Sequence, residues 1–428
     1  MSLQYSRRAS EPHSGNGDGG LIVTQEMKDI LAAEPGFLKA KKGGQRLRHL
    51  YVNGSLRLDP GRFSPFAQYC FIGEPNAVRQ EVEAGRAPDL EGTETPYKFG
   101  YATLIVAGAQ RILTSGTRHM DVLKYLISLG LLVDVPDIVG FTALFHAIAS
   151  DAPKLDLARA LLEAGSNVNY QNRYGEVPLF GAFMKRSMAG LDLLMEFGAN
   201  LDIAEADGMT PRKEMLSFGP ETTAIVQKWV RRRAGEEAPM VEKRCDHCQR
   251  TDAPLKNCGR CHAARYCSTE CQRKAWSGHK QMCMPFSASN TLAFKPFYEQ
   301  NYSLQPNQEI ANKVLGINTP TPEAHRRGAH VPKRIDSESK NLIIKVQVPY
   351  DITTKGALPG GNPLLVYTKK RDFVCHLKRP DKPAAYDQLS KIIVEKGVGG
   401  GKAYFAAELK SRDELIVKVS EVLAEQPF

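Results

Sequence analysis

The chain has 428 residues, 42% of them apolar, enough for about two to four domains each with its own core. Lys and Arg number 57 against 47 Asp and Glu; this net charge of +10 favours anionic surfaces or nucleic acid only weakly, because the excess is spread along the chain. No run of about 18 apolar residues occurs and the opening MSLQYSRRASEPHSGNGDGG carries no apolar block, so neither a membrane span nor a secretory leader is expected, and cytosol or nucleus is the expected compartment.

In chain order, residues 1–20 are expected to be disordered and 21–63 to form an N-terminal extension. From 64 to 235 the chain repeats. The openings GFTALFHAIA, GEVPLFGAFM and GMTPRKEML place Gly140, Gly175 and Gly208 at intervals of 35 and 33 residues. The endings LKYLISLGLLVD, ARALLEAGSNVN and LDLLMEFGANLD place Gly130, Gly165 and Gly198 at the same intervals. Leu144, Phe145 and Ala147 have helical spacing, as do Leu179, Phe180 and Ala182; Leu161, Leu162, Leu193 and Leu194 fall on second helices.

This period, with its T-P-L-H-x-A-like openings and L-L-x-x-G endings, resembles the ankyrin repeat, a turn followed by two antiparallel helices. Phe145 and Phe180 stand where that family usually has His, and Val177 where it has Thr. SPFAQYCFIGEPNAVRQEVEAGRAPDL (64–90) reads as an earlier copy. The interval from Gly85 to Gly130 is 45 residues, so the copy after it carries about ten extra. Residues 207–233 read as a polar terminal cap. The resemblance implies a helical solenoid whose hairpin tips, Asp137, Ile138, Val139, Asn172, Arg173 and Tyr174, contact partner proteins. His146 is expected to be structural.

Nine cysteines occur, seven of them between 245 and 283, which in a reducing compartment reads as metal ligation rather than disulfides. Cys70 and Cys375 are expected to be inert. The cluster is Cys245-x2-Cys248-x9-Cys258-x2-Cys261-x5-Cys267-x3-Cys271-x7-His279-x3-Cys283. Eight ligands make two tetrahedral zinc sites. Each Cys-x2-Cys pair implies a tight knuckle, and each pair four apart implies two ligands on one helix face, so the tail is expected as two short helical pieces. Consecutive quartets and interleaved quartets both satisfy the spacing.

The spacing, with ARYC before Cys267, Gln272, Trp276 and the final His-x3-Cys, resembles the MYND-type zinc finger over 243–285. That resemblance implies cross-bracing, with Cys245, Cys248, Cys267 and Cys271 on one ion and Cys258, Cys261, His279 and Cys283 on the other. It also implies that Gln272 and Trp276 contact proline-rich peptides. With all positions filled by protein, both Zn²⁺ ions are expected to be structural and to supply most of the finger's folding free energy. His247 and His262 are expected at the surface.

Residues 286–338 read as a linker with a helix at 307–315. From 339 to 428 a small α+β domain is expected: NLIIKVQVPYDI alternates as a strand, NPLLVYTKKRDFVCHL gives another, AAYDQLSKIIVEKG is helical, and SRDELIVKVSEVLAEQ reads as an amphipathic helix capped by Ser411. GVGGGK lacks the full phosphate-loop pattern and reads as a loop. The basic clusters at 231–233, 243–244 and 369–371 read as solvated faces.

The fold class expected is therefore mainly α: an ankyrin solenoid, a cross-braced two-zinc finger and a C-terminal α+β domain. Some MYND fingers sit in lysine methyltransferases with a SET domain, but the chain has no N-H-x-C-x-P-N-like stretch. The expected function is a non-enzymatic adaptor that binds proteins, including proline-rich peptides. The alternatives are a transcriptional or chromatin-associated regulator with nucleic-acid contact, which no motif supports, and an enzyme with an unrecognised activity in 339–428.

Overall fold

The computed structural model describes residues 17–424 except 113, 115, 237–239, 241–242, 300–330, 333–334, 336–337, 352–355 and 358–361. Residues 1–16 of the expected disordered terminus, and the expected helix at 307–315, lie outside the described residues. The chain divides into two compact units, Met1–Glu214 and Met215–Phe428.

The first unit opens with α1 (Gln25–Ala33) and α2 (Gly44–Ser55). Two helix pairs follow, α3 (Pro65–Ile72) with α4 (Pro75–Glu83) and, after the short strands β1 (Thr93–Glu94) and β2 (Phe99–Gly100), α5 (Tyr101–Arg111) with α6 (His119–Ser128). Two more are α7 (Ala143–Ile148) with α8 (Leu155–Glu163) and α9 (Pro178–Met184) with α10 (Met188–Glu196); α11 (Pro211–Glu214) ends the unit. Proline begins α3, α4, α9 and α11, where its missing N–H has no helical acceptor to lose. Leu144, Phe145, Ala147, Leu161, Leu179, Phe180, Ala182 and Leu194 are all buried, as the repeat predicts. About half of the extra length in the second pair lies in α5, which runs 11 residues where α7 runs 6.

Gly140 shows why the repeat needs glycine at its turns. Its φ is +83°, and an added Cβ would lie 2.8 Å from the backbone nitrogen of Arg173 in the next turn. The two landmarks are thus one residue for conformation and one for close stacking.

Four of the six hairpin-tip residues are not free to meet a partner, which corrects the expectation for them. Asp137, Val139, Asn172 and Tyr174 are buried, and α2 covers them. Tyr51 stacks on Tyr97 at 5.2 Å, meets Phe141 edge-on at 5.6 Å, and donates its hydroxyl to the Asp137 carboxylate. Arg48 lies 3.7 Å over the Tyr174 ring and pairs with Glu176 at 3.0 Å. Arg173 donates to the carbonyl of Leu31 in the last turn of α1 and to those of Glu34, Pro35 and Gly36 beyond its end. Polar tips looked solvent-facing in sequence because their partners lie more than 80 residues away in the N-terminal extension. His146 is structural, its Nε2 lying 3.2 Å from the Asp137 carboxylate.

Arg173→Ala removes the charged donors that hold the α1 end, a loss of about 2 to 3 kcal/mol. Hydrogen exchange should then quicken across 25–55 and change little in α7–α10. Unchanged exchange in 25–55 would show that apolar packing alone holds the cover.

The second unit corrects the mainly α expectation, because it is organised by a six-stranded antiparallel sheet. It begins with α12 (Pro220–Arg233), so the expected cap 207–233 is divided between the units. The metal-ligand region contributes β3 (Lys256–Asn257), β4 (Arg265–Tyr266) and α13 (Thr269–Met282). The remaining elements are β5 (Thr291–Phe294), β6 (Lys340–Gln347), β7 (Tyr350–Asp351), β8 (Gly356–Ala357), β9 (Leu364–Thr368), β10 (Val374–Leu377), α14 (Pro383–Lys396), β11 (Lys402–Ser411) and β12 (Glu414–Lys418). The large sheet runs β10-β9-β6-β11-β12-β5. β5 lies in the stretch expected as linker and pairs with β12, Leu415 opposite Phe294.

Residues 411–418, expected as a capped amphipathic helix, form a hairpin turn and β12 instead. The β-branched run Ile416, Val417 fits a strand, and pairing with β11 on one side and β5 on the other outweighs the helical spacing. β11 is buried on both faces. Phe405 and Ala407 point to a core with Tyr386, Leu389 and Ile393 of α14, while Tyr404 and Ala406 point the other way into a second core.

Candidate metal centre

Two turns and a helix bring the eight candidate ligands together. Cys245 and Cys248 flank the first turn, in which the Gln249 N–H donates to the Cys245 carbonyl at 2.9 Å. Cys258 and Cys261 flank the second, in which the His262 N–H donates to the Cys258 carbonyl at 3.0 Å. Gln249 and His262, each directly after its Cys-x2-Cys pair, have φ of +61° and +60°. The strands β3 and β4 join the two turns, with Asn257 opposite Arg265.

The tail is one helix, α13, where two short pieces were expected. Ser268 caps it by accepting from the Cys271 N–H at 3.1 Å. Cys267 precedes that cap and Cys283 stands at the other end, so only Cys271 and His279 are in the helix proper. They stand eight positions apart, about 12 Å along the axis, too far to share one ion. Chain geometry therefore interleaves the ligands.

Ligand atoms of Cys245, Cys248, Cys267 and Cys271 lie within 4.8 Å of one another, as do those of Cys258, Cys261, His279 and Cys283. Sulfur separations of 3.5 Å for Cys248–Cys267 and Cys267–Cys271 fit a tetrahedron with Zn–S arms of about 2.3 Å, whose edges are about 3.8 Å. Nε2 of His279 lies 3.6 Å from the Cys261 sulfur and is the nitrogen that faces the cluster. These are the only such groups among the described residues. The residues present fit two structural zinc ions.

The electrostatics agree with a cation. Burial pushes the Cys245 thiol up, but the N–H groups of Cys248, Cys267 and His247 outweigh it and bring it down to about 6. Cys258 is treated alike, burial opposed by the N–H groups of Cys261 and Arg260, and ends at about 7. In the same clusters Cys267, which hydrogen-bonds the Cys271 and Cys248 sulfurs, and Cys283, which is half-buried beside the Cys261 and Cys258 sulfurs, are pushed up to about 12. Part of each quartet is poised to ionise and part resists because its neighbours carry the charge; a divalent cation removes that conflict.

The finger is not isolated. Cys245, Cys258, Cys261, Ala263 and Tyr266 share a core with Tyr404 and Ala406 of β11 and with Leu423. Lys418, fully buried at the end of β12, donates to the Cys261 carbonyl at 3.3 Å and pairs with Glu421. These supports lie 140 residues or more from the ligands they hold, and no local pattern in the sequence signals them. Lys418→Met, which keeps the volume and removes the donor, should lower the melting temperature and speed exchange near Cys261 while both ions remain bound. Zinc loss in that variant would place Lys418 in the site's own support.

Of the remaining predicted residues, Gln272 and Trp276 are half-buried on α13, with the Arg260 guanidinium 5.9 Å from the indole centroid and the His279 ring at 5.9 Å. His247 is exposed as expected. His262 is buried against Phe286 at 5.0 Å, which corrects its surface placement. Cys70 and Cys375 are fully buried, and burial pushes both thiols far up, so they are inert.

Comparison with known proteins identifies residues 245–283 as a MYND finger and 139–173 as an ankyrin repeat. Human N-lysine methyltransferase SMYD2 is 28% identical over 106 residues, 23% of this chain and 23% of its own length. SET domain-containing protein 14 of Caenorhabditis elegans is 42% identical over 74 residues, 17% of this chain and 16% of its own. Human histone-lysine N-methyltransferase SMYD3 is 46% identical over 39 residues, 9% of each chain. The chain thus spans less than a quarter of the length of these relatives. Their names overturn the expectation of a non-enzymatic adaptor. Closed zinc coordination excludes a metal-bound water at these two sites and says nothing about chemistry elsewhere on the chain. Among the described residues, no helix is long and apolar enough to cross a membrane.

Proposed function

We propose that the chain is a protein-modifying enzyme of the lysine-methylating class, whose MYND finger docks the protein it acts on. The observation that carries this reading is the similarity of part of the chain to relatives named as lysine methyltransferases. On this reading the eight clustered residues hold two zinc ions for shape alone, and the activity belongs to the unit built on the six-stranded sheet, to which the finger is joined through a common core. The test supplies the full zinc-loaded chain with isotopically labelled S-adenosylmethionine and lysine-bearing proteins. Label on lysine above a heat-inactivated control is the expected result. No incorporation into any protein that the chain demonstrably binds would falsify the enzymatic reading.

The docking face proposed is the α13 stripe with Gln272 and Trp276, and the partner class is a proline-rich peptide. An indole presents apolar area together with an N–H donor, which suits proline-rich recognition. Trp276→Ala should weaken such a peptide at least about tenfold by calorimetry, with two zinc ions retained. Equal affinity would remove Trp276 from the contact.

We further propose that the four helix pairs stack as an ankyrin solenoid. Support comes from Gly130, Gly165 and Gly198, which close successive pairs at φ of +91°, +92° and +90°. A cytoplasmic or nuclear location suits a chain none of whose nine cysteines is in a disulfide.

A further inference from the structure

A cavity of 970 Å³ lies between α12, the finger and the segment after β12. Five cations line it: Lys228, Arg231 and Arg232 of α12, with Arg244 and Arg265 of the finger. Three carboxylates also reach it, those of Glu236, Asp246 and Glu421. Two of these are already engaged, Glu421 by Lys418 and Asp246 by the Arg265 N–H at 2.7 Å. Five cations against three carboxylates leave the lining net positive, and Arg265 brings that charge into the wall, since the residue is only 7% exposed. Met282 and Met284 stand at the rim, 77% and 42% exposed.

We propose that this cavity docks an acidic peptide segment of a partner protein, one that alternates carboxylates with apolar side chains. Guanidinium groups on several sides match separate carboxylates in a bidentate way, and unbranched methionines adapt to apolar side chains of varied shape. A nucleic-acid strand fits less well. It needs an unbroken basic track with aromatic platforms for its bases, and here the lining has only Tyr266 and the metal-facing His279 as rings while carboxylates interrupt the cations. The α13 residues in the lining are Ala275, Gly278, His279 and Met282; Gln272 and Trp276 are not among them. The cavity is therefore a second docking site, independent of whether the chain transfers methyl groups.

The test titrates a short labelled peptide of alternating Glu and Leu into the full zinc-loaded chain by fluorescence anisotropy, beside the same peptide with Gln for Glu and a single-stranded oligonucleotide. Arg232 and Arg244 are exposed, so the double reversal Arg232→Glu with Arg244→Glu changes the cavity without disturbing a core. It should weaken the Glu peptide at least about tenfold. Lys369→Glu with Lys370→Glu makes the same change of net charge on an exposed turn elsewhere and should leave affinity unaltered. Native mass spectrometry checks that two zinc ions remain; if the reversal loses one, Arg232→Gln with Arg244→Gln replaces it. The proposal is overturned if the Gln peptide binds as well, if the control reversal weakens binding equally, or if the oligonucleotide outcompetes the peptide at the cavity.

Discussion

Stripping both zinc ions from the full chain with a chelator is expected to unfold residues 245–283 and to release exchange protection along β11 and β12. Metal coordination supplies about 10 kcal/mol or more per structural ion in small fingers, more than the whole stability of many domains. The sequence alone suggests that the finger has almost no core of its own and must rely on that term. Structure shows a core shared with Tyr404, Ala406 and Leu423, so the loss propagates beyond the finger. The α14 side of the sheet, with Leu389 and Ile393 against Phe405, has its own apolar core and should keep its protection. Native mass spectrometry should find two ions before chelation and none after. His279→Ala should lose one ion, and His279→Cys should keep two. A chelated chain with unchanged exchange in β11 would sever the finger from the sheet energetically.

Asp137→Ala should destabilise the first unit by about 3 to 5 kcal/mol, read as a lowered midpoint in denaturant unfolding followed by tryptophan-independent circular dichroism. The Asp137 side chain is fully buried. One oxygen accepts from the N–H groups of Val139 and Phe141 at 2.9 and 3.0 Å, and the other takes the Tyr51 hydroxyl and faces His146. Burial and the Asp137 charge push the Tyr51 phenol well above its ordinary range, so it stays protonated and donates. Alanine leaves these donors inside with nothing to accept from them. Asp137→Asn keeps one acceptor oxygen for the backbone pair and should cost less. Equal losses for Ala and Asn would locate the effect in the charge rather than in the hairpin's hydrogen bonds.

The parts of the fold legible in sequence are those set by local spacing. Gly130, Gly165 and Gly198 announce helix ends because only positive φ lets the chain turn there, and the eight ligands announce two metal sites because tetrahedral zinc counts in fours. What stayed hidden is long-range. Nothing near Arg173 indicates that its guanidinium will meet carbonyls at the end of α1, and nothing near Cys261 indicates Lys418. The stretch 411–418 was misread for a related reason: its short apolar run satisfies both periods, and only neighbours β5 and β11 decide between them. Cys267 and Cys283 carried a similar ambiguity, since a spacing of four fits a helix face and also fits a residue just outside each helix end.

Tyr404 and Ala406 alternate with Phe405 and Ala407 along a strand whose two sides are both covered. Without the zinc-bound module, one side of that strand becomes a bare apolar ribbon presented to water, the kind of surface through which chains self-associate into aggregates. Metal supply during synthesis is then expected to bear on solubility as well as shape, and at equal concentration apo chains should scatter more light than holo chains.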